Sequence, residues 1–342
     1  MHRTTSATTP STWPLLQPSL PSTDDEVTAA RSLFGFNWRL LAGITGVVVA
    51  ALITTKFYIQ PSAYVAAFAA AAVYWWAGQR SARSSARTSP RIFLCLIATA
   101  QLILASPVVL TLTYVAASID LPLQDARLLA WDRALGFDFR SFIDLTNRHP
   151  EIISPLAYSY SSINLQLFIG APILPLAGCY RRCAETLCAL MLAVLATTVI
   201  SALVPAIGVY GALGLHASDF PHFEPGGYYA TLRDAPLVRD GHLRELNLMH
   251  LVGVMTFPSF HAASGILYMW AFWPLRWVRA LVIPWNALMI VATPLGGGHY
   301  LVDVLAGIAV ALVAIGITLR ISDFCSQATA AEAEGLVGSS SA

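Results

Sequence analysis

Long apolar runs separated by short polar links make up most of this chain. Each run has about the 17–25 residues needed to cross roughly 30 Å of hydrocarbon. The candidate spans are 38–58, 62–79, 92–117, 153–178, 184–207, 259–275, 278–296 and 299–320. Only 11% of the residues are charged, which is too few to coat a water-exposed surface. We therefore predict an all-α, multi-pass transmembrane helical bundle of about eight spans.

The arginines orient this bundle, because they lie in links that all fall on one side of it. They are Arg80, Arg83, Arg87, Arg91, Arg181, Arg182, Arg276, Arg279 and Arg320. Positively charged links stay in the cytoplasm. Both termini are then expected to be cytoplasmic, and the acid-rich segments 118–152 and 208–258 become two outer loops. A net charge of +1 gives no reason to expect a nucleic-acid partner.

The same pattern divides the chain into four regions. Residues 1–37 and 321–342 are predicted to be disordered cytoplasmic tails, because the first is rich in Ser, Thr and Pro and lacks an apolar core. Residues 38–117 are predicted to be N-terminal transmembrane helices, and residues 118–320 a catalytic transmembrane domain carrying the two outer loops. Within the first loop, residues 120–148 are typical of one or two amphipathic helices lying in the membrane interface.

Two motifs that contain ionisable residues lie at the ends of apolar segments: FPSFH at 257–261 and GGGHYLVD at 296–303. Ionisable residues at membrane depth are costly and are usually functional. His299 and Asp303 are four residues apart, so a helix stacks their side chains on one face. A carboxylate in that position can fix the tautomer of the imidazole and raise its basicity. His261 falls on the same, outer side of the bundle.

This set of residues suits phosphoryl transfer. His299, held by Asp303, can attack phosphorus while His261 protonates the departing alkoxide. The phosphoryl oxygens also need cations and N–H donors where charge accumulates. The candidates for that contact are Arg239 and Arg233 in the outer loop, Ser259 at a predicted helix start, and Gly298 in the triple-glycine string. No carboxylate cluster has metal-binding spacing, so we expect neither a metal nor another cofactor.

FPSFH, followed 38 positions later by the histidine of GGGHYLVDVLAG, resembles two signature motifs of the type 2 phosphatidic acid phosphatase superfamily. Their form is similar to that of its inositol phosphorylceramide synthase-like, inositolphosphotransferase branch. The resemblance covers roughly residues 120–310, with Tyr158 and Gln166 in the fourth span. It implies a six-helix core and a metal-free, externally facing site that works through a phosphohistidine.

Carried over residue by residue, the resemblance makes His299 the nucleophile and Asp303 its orienting partner. It makes His261 the acid for the leaving group and later the base for the acceptor, and it brings Ser259 to the phosphate. Two family features are missing: no Lys-(x6)-Arg-Pro string occurs, and Thr293 stands where the family has an arginine. The phosphate cations must then come from elsewhere, and the departure points towards the transferase-like branch.

We predict a metal-independent membrane enzyme that hydrolyses or transfers a phosphoryl-bearing group of a phospholipid or lipid phosphate. With water as the acceptor it is a phosphatase. With a lipid alcohol it is a phosphotransferase, such as one that moves inositol phosphate onto a ceramide or glycerolipid. One lysine against nineteen arginines points to a high-GC bacterium, so the predicted location is the inner membrane with the site on the periplasmic side.

Other classes of protein would not account for all of these residues. An intramembrane serine protease using Ser264 and His299 would expect a glycine at Ala262, and it gives Asp303 and His261 no role. A non-catalytic membrane transporter or scaffold would tolerate substitution of His299. A CDP-alcohol phosphotransferase would need a cluster of metal-binding aspartates. The polar residues Asn164, Gln166 and Asn286 lie inside spans, where they either bond between helices or line a head-group cavity.

Overall fold

The fold is known from a computed structural model, which describes residues 23–83 and 90–340, with side chains as far as Ala328. The described ranges form thirteen α-helices, two short 3₁₀ turns and one pair of two-residue strands. The helices are α1 Thr23–Thr55, α2 Pro61–Arg83, α3 Pro90–Ala117, α4 Asp125–Ala134, α5 Phe139–Arg148, α6 Ile153–Ser161, α7 Ile163–Leu176, α8 Tyr180–Leu203, α9 Val209–Ala212, α10 Gly226–Arg239, α11 Phe260–Ala271, α12 Arg276–Gly297 and α13 Leu301–Ser340. The predicted all-α helical bundle is confirmed.

Several helices are long and apolar enough to make this a multi-pass membrane protein. Five within the described ranges qualify, at Asp24–Thr55, Pro90–Ala117, Tyr180–Leu203, Arg276–Gly297 and Leu301–Ala328, whereas the sequence predicted eight spans. The predicted span 153–178 breaks at Ser162 into α6 and α7. The predicted span 259–275 contains only the 12-residue α11, which at 1.5 Å per residue is about 18 Å long and shorter than the hydrocarbon layer.

Helical structure extends further than the predicted tails allow. Helix α1 begins at Thr23, and α13 continues to Ser340, so residues 23–37 and 321–340 are helical. The reason is packing: Leu33 is fully buried in a cluster that includes Cys325, and burial of an apolar face stabilises a helix that the sequence alone would not require. Residues 1–22, 84–89 and 341–342, with the tail predicted there and Arg87, lie outside the described residues.

The predicted N-terminal helices and the predicted catalytic helices share one core. Helix α1 packs on α3, α8 and α13, and α3 also packs on α7 and α8. Leu33, Leu94, Leu174 and Cys188, from four of these helices, are all fully buried in one apolar cluster. The predicted boundary between residues 117 and 118 therefore does not separate two cores.

The two outer loops carry ordered structure. Helices α4 and α5 occupy the segment 120–148 that the sequence predicted to be helical. Strand β1, Tyr58–Ile59 in the link between α1 and α2, pairs in parallel with β2, Glu245–Leu246 in the second loop. The backbone N–H of Tyr58 donates to the Arg244 carbonyl at 3.0 Å, so that link and the second outer loop lie on the same side of the bundle.

Candidate active site

The first turn of α11 is fastened to α13, and this contact brings His261 towards His299. Ser259 caps α11, because its hydroxyl accepts a hydrogen bond from the backbone N–H of Ala262 at 3.3 Å. The Ser259 N–H donates to the Asp303 carbonyl at 3.0 Å. Gly307 lies so close to the Ser259 carbonyl that a Cβ there would collide with it. The two helices can therefore approach closely only because residue 307 is glycine.

His299 lies in the sharp turn between α12 and α13. Gly298 has a left-handed backbone with φ of 65°, a conformation that glycine adopts without strain. A Cβ on Gly298 would also press on the rings of Tyr228 and Tyr210, at 2.8 and 3.1 Å. The Gly298 carbonyl accepts a hydrogen bond from the N–H of Val209 at 2.8 Å. Contacts with Tyr210, Tyr228 and Val209 therefore fix the turn, which places His299 just before the first residue of α13.

His299 and Asp303 form the pair that their spacing predicts. His299 Nδ1 lies 3.1 Å from Asp303 Oδ2, and the two side chains are 4% and 0% exposed. The same carboxylate oxygen accepts the Tyr300 N–H at 3.0 Å, which fixes the carboxylate in front of the ring. His299 Nε2 makes no hydrogen bond within the described residues. One ring nitrogen is thus occupied and the other is available.

Tyr160, at the end of α6, joins the two histidines. Its ring stacks on that of His261, with centroids 3.9 Å apart and an interplanar angle of 7°. Tyr160 Oη and His299 Nε2 each lie less than 3 Å from the point where a Cβ of Gly297 would stand, so they are within about 6 Å of each other. Three rings from α6, α11 and the turn before α13 therefore converge on one place.

Sequence reasoning missed Tyr160. It noted Tyr158 instead, whose side chain is 70% exposed. Residues 158 and 160 point to nearly opposite sides of α6, and packing against α12 decides which side faces inward, because the Tyr160 ring lies at Gly296. The indole N–H of Trp285 donates to the Ser162 hydroxyl at 2.9 Å, beside the break between α6 and α7. A continuous apolar run gives no sign of such a break.

The glycines of the second motif make room for these rings. A Cβ on Gly296 would lie 2.6 Å from Cγ of Tyr160, and a Cβ on Gly297 would lie 2.7 Å from Nε2 of His299. A Cβ on Gly227, in the first turn of α10, would collide with the Tyr160 hydroxyl. The sequence analysis assigned the triple glycine to close approach of phosphate, whereas in the structure it accommodates aromatic side chains.

Replacing Gly297 by Ala is expected to lower the stability of the protein by about 1–3 kcal/mol, because overpacking forces neighbouring rings out of place. Thermal unfolding in detergent measures the change. Gly316→Ala is the matched control, since nothing lies within 4 Å of a Cβ at that position and alanine favours a helix over glycine. Equal melting temperatures for the two variants would show that the contacts around Gly297 yield easily.

Two aspartates of α4 hold the turn that carries His299. Asp132, 1% exposed, accepts the backbone N–H groups of Leu301 and Val302, both at 2.9 Å, and so caps α13 from another element. Burial raises the pKa of Asp132, and these two hydrogen bonds oppose the rise. Asp125 accepts the Gly208 N–H at 2.9 Å and the Tyr300 hydroxyl at 3.0 Å. From the sequence, Asp125 and Asp132 are only two acidic residues of the first outer loop.

The predicted phosphate-binding arginines have other partners in the structure. Arg239 donates to Asp120 and to the Leu121 carbonyl, both at 2.6 Å. It lies twelve residues beyond Gly227 on α10, or about 18 Å along the axis. Arg233 pairs with Asp234 at 2.6 Å. Their contact with phosphate stays a prediction, as it does for Ser259, which is fully buried, and for Gly298.

The acidic partner of Arg233 is itself part of a network. Burial raises the pKa of Asp234, but hydrogen bonds from Arg233 and from the Tyr114 hydroxyl outweigh this effect and hold it below the ordinary value. Thr293, where the resembled family has arginine, is fully buried, and its hydroxyl donates to the Met289 carbonyl at 2.9 Å.

Other polar residues inside the bundle have structural partners. The hydroxyl of Ser264 is fully buried and donates to the His261 carbonyl of its own helix at 3.0 Å, so it does not form a dyad with His299. Asn286 donates to Gln166 at 2.7 Å across two helices. In the ranges that the structure describes, no group of three or more His, Cys, Asp and Glu is placed to hold a metal ion.

A cavity of about 510 Å³ lies between α3, α7 and α8 and extends to the first turn of α11. Its walls are mostly apolar, and they include Leu102, Leu110, Phe168, Leu190 and Val194. Phe260, the residue before His261, also lines it, as does the polar Asn164. The cavity therefore ends at the first turn of α11, where the histidine begins the site.

Membrane-spanning helices around a site of two histidines and an aspartate describe an integral-membrane enzyme. The family model of the PAP2 superfamily matches residues 126–317, which is more than half of the chain, and the chain belongs to that superfamily. This membership makes it a lipid-phosphate enzyme of the phosphatase or phosphotransferase type. The comparisons found no match among curated proteins or among solved structures. Helices α1–α3 precede the matched range.

Proposed function

We propose that the protein cleaves a phosphoester bond of a lipid phosphate or phosphodiester through a phosphohistidine on His299. The observation that carries this proposal is the buried contact of 3.1 Å between His299 Nδ1 and Asp303. A hydrogen bond from Nδ1–H to the carboxylate leaves the lone pair on Nε2, the nitrogen without a partner in the described residues. Nucleophilic histidines are activated by such an oriented acid.

In the first step, His299 Nε2 attacks phosphorus, the P–O bond to the lipid alcohol breaks, and His261 gives its proton to the departing oxygen. In the second step, neutral His261 removes the proton of an acceptor hydroxyl, whose oxygen attacks the phosphohistidine and releases His299. His261 regains its proton in that step, so the cycle is balanced. Neither step needs a metal ion, and metal independence is part of the proposal.

The cavity beside α11 supports a lipid as the substrate. Its apolar walls suit a hydrocarbon chain, because removal of such a chain from water is favourable. Phe260 lines the cavity, and His261 is its neighbour, so a head group attached to that chain would lie near the rings. We assign the cavity to the chain of the substrate.

Hydrogen-bond donors, rather than a positively charged side chain, would bind the phosphate. Helix α10 has 14 residues, and its first turn touches the Tyr160 hydroxyl through Gly227. The N-terminus of a helix of that length favours an anion. Ser259 and Gly298 are our further proposed contacts, and Arg233 or Arg239 would contribute only by exchanging a carboxylate partner for phosphate.

We further propose that the acceptor is an alcohol, as in inositol-phosphate transfer to a lipid hydroxyl. His299 is 4% exposed, and exclusion of water protects a reactive intermediate from hydrolysis. A plain phosphatase is the alternative. Helix α12 has 22 residues and is about 33 Å long, with Arg276 and Arg279 in its first turn and His299 just beyond its other end. The positive-inside rule then favours a non-cytoplasmic site in a bacterial inner membrane with both termini in the cytoplasm.

The test is incubation of the purified protein, in bilayers and with a chelator, with a panel of radiolabelled phospholipids with and without lipid alcohols. A new labelled phosphodiester lipid that appears only with the alcohol is the expected result. Release of free phosphate alone would establish the phosphatase instead. If no labelled lipid is consumed under any condition, the proposed function is wrong, and activity that needs an added metal ion would overturn metal independence.

A further inference from the structure

The hydroxyl of Tyr160 makes no hydrogen bond within the described residues, although it lies close to both histidines. Its ring is in contact with His261 and with three glycines, as described above. The side chain is only partly buried, so its O–H can donate to a molecule bound at the site. The hydroxyl lies between the first turn of α10 and the end of α12, beside His299.

The distance from this hydroxyl to His299 fits a bound phosphoryl group. Tyr160 Oη and His299 Nε2 are within about 6 Å of each other. Within that upper limit, an oxygen of a phosphoryl group on Nε2 can accept a hydrogen bond of about 2.7 Å from the hydroxyl. The hydroxyl is therefore in reach of the reacting group without moving the ring from its stack on His261.

Negative charge accumulates on those oxygens as His299 attacks, and preorganised donors are needed there. Arg233 and Arg239 contact carboxylates and carbonyl oxygens, and the hydroxyl of Thr293 is used within its own helix. Tyr160, which stacks on His261 and lies beside His299, offers an O–H there.

Resting on the function proposed above, we propose that Tyr160 is a further catalytic residue. Its hydroxyl donates a hydrogen bond to a phosphoryl oxygen between the two histidines, and its ring holds His261 in line with the leaving oxygen. The two roles can be separated, because phenylalanine keeps the ring and removes only the donor.

Tyr160→Phe is expected to lower kcat for the labelled lipid by about 10²–10³-fold, the usual effect of removing one donor that acts in the transition state. KM should change little, because the apolar cavity is untouched. Tyr158→Phe is the matched control, since that side chain is 70% exposed and two residues away; its kcat should stay at the wild-type value. A Tyr160→Phe enzyme within threefold of wild type would overturn the proposal.

Two further measurements keep the test decisive. If Tyr160→Phe lowers the melting temperature, 3-fluorotyrosine at position 160 keeps the ring and makes the hydroxyl a stronger donor; a kcat that does not change would then overturn the proposal. His299→Gln is assayed in parallel. If His299→Gln is inactive and Tyr160→Phe is fully active, only the assignment of Tyr160 fails, whereas turnover by His299→Gln removes the proposed function itself.

Discussion

His299→Gln is expected to reduce turnover of the lipid substrate by at least about 10⁴-fold, because it removes the nitrogen that bonds to phosphorus. Glutamine has a similar length and can still reach Asp303, so the fold should survive. The measurement is the rate of labelled product formation, with an alkaline quench that preserves phosphohistidine on the protein. Label should be retained on the wild-type chain and be absent from the variant.

His222→Gln provides the control, because His222 is an exposed histidine of the second outer loop. Its rate and its label should equal those of the wild type. If the His299 variant keeps either the rate or the label, another residue is the nucleophile. Loss of both from a variant that melts at the wild-type temperature would assign the chemistry to His299.

Asp303→Asn is expected to lower kcat by about 10²–10⁴-fold, as loss of the orienting carboxylate does in other histidine-dependent sites. Asparagine fits the same space, and its oxygen can still accept the Tyr300 N–H. That oxygen also faces Nδ1 of His299, so asparagine can keep both hydrogen bonds but removes the negative charge that stabilises the ring as Nε2 attacks. The rate of phosphohistidine formation in a single turnover measures this effect directly.

Asp323→Asn is the matched control on the same helix. Asp323 is 59% exposed and pairs with Arg181 at 2.6 Å, and such exposed pairs contribute little. Its kcat should match that of the wild type. An Asp303→Asn variant whose single-turnover rate also matches would mean that the charge of the carboxylate does not activate the ring, even though it lies 3.1 Å from Nδ1.

The residues proposed for catalysis could be found from the sequence because each is costly at membrane depth. His261, His299 and Asp303 interrupt apolar runs, and the four-residue spacing of the last two defines their contact through helix geometry alone. Helices α4 and α5 could also be predicted, since their sequence pattern is local. Features that depend only on near neighbours in the chain are visible in the sequence.

Helix ends and ion-pair partners could not be predicted in this way. Arg239 was assigned to phosphate because it is a cation in the right loop, yet Asp120, 119 positions away, binds it. The tail residues 23–37 are helical because they pack on α3, α8 and α13. In both cases the partner that determines the outcome is distant in the sequence, so the local pattern does not predict it.

The sequence by itself determined that this chain is a helical membrane protein with a histidine–aspartate pair, because hydropathy and helical spacing are local properties. Only the tertiary structure decided which ring completes the site, which carboxylates hold the turn, and why residues 296 and 297 are glycine. Tyr158 and Tyr160 are two residues apart on one helix, and packing of α6 against α11 and α12 determines which of them meets His261. That choice arises from packing between segments that are distant in the sequence. The neighbouring rings occupy the space that a Cβ would need at residues 296 and 297.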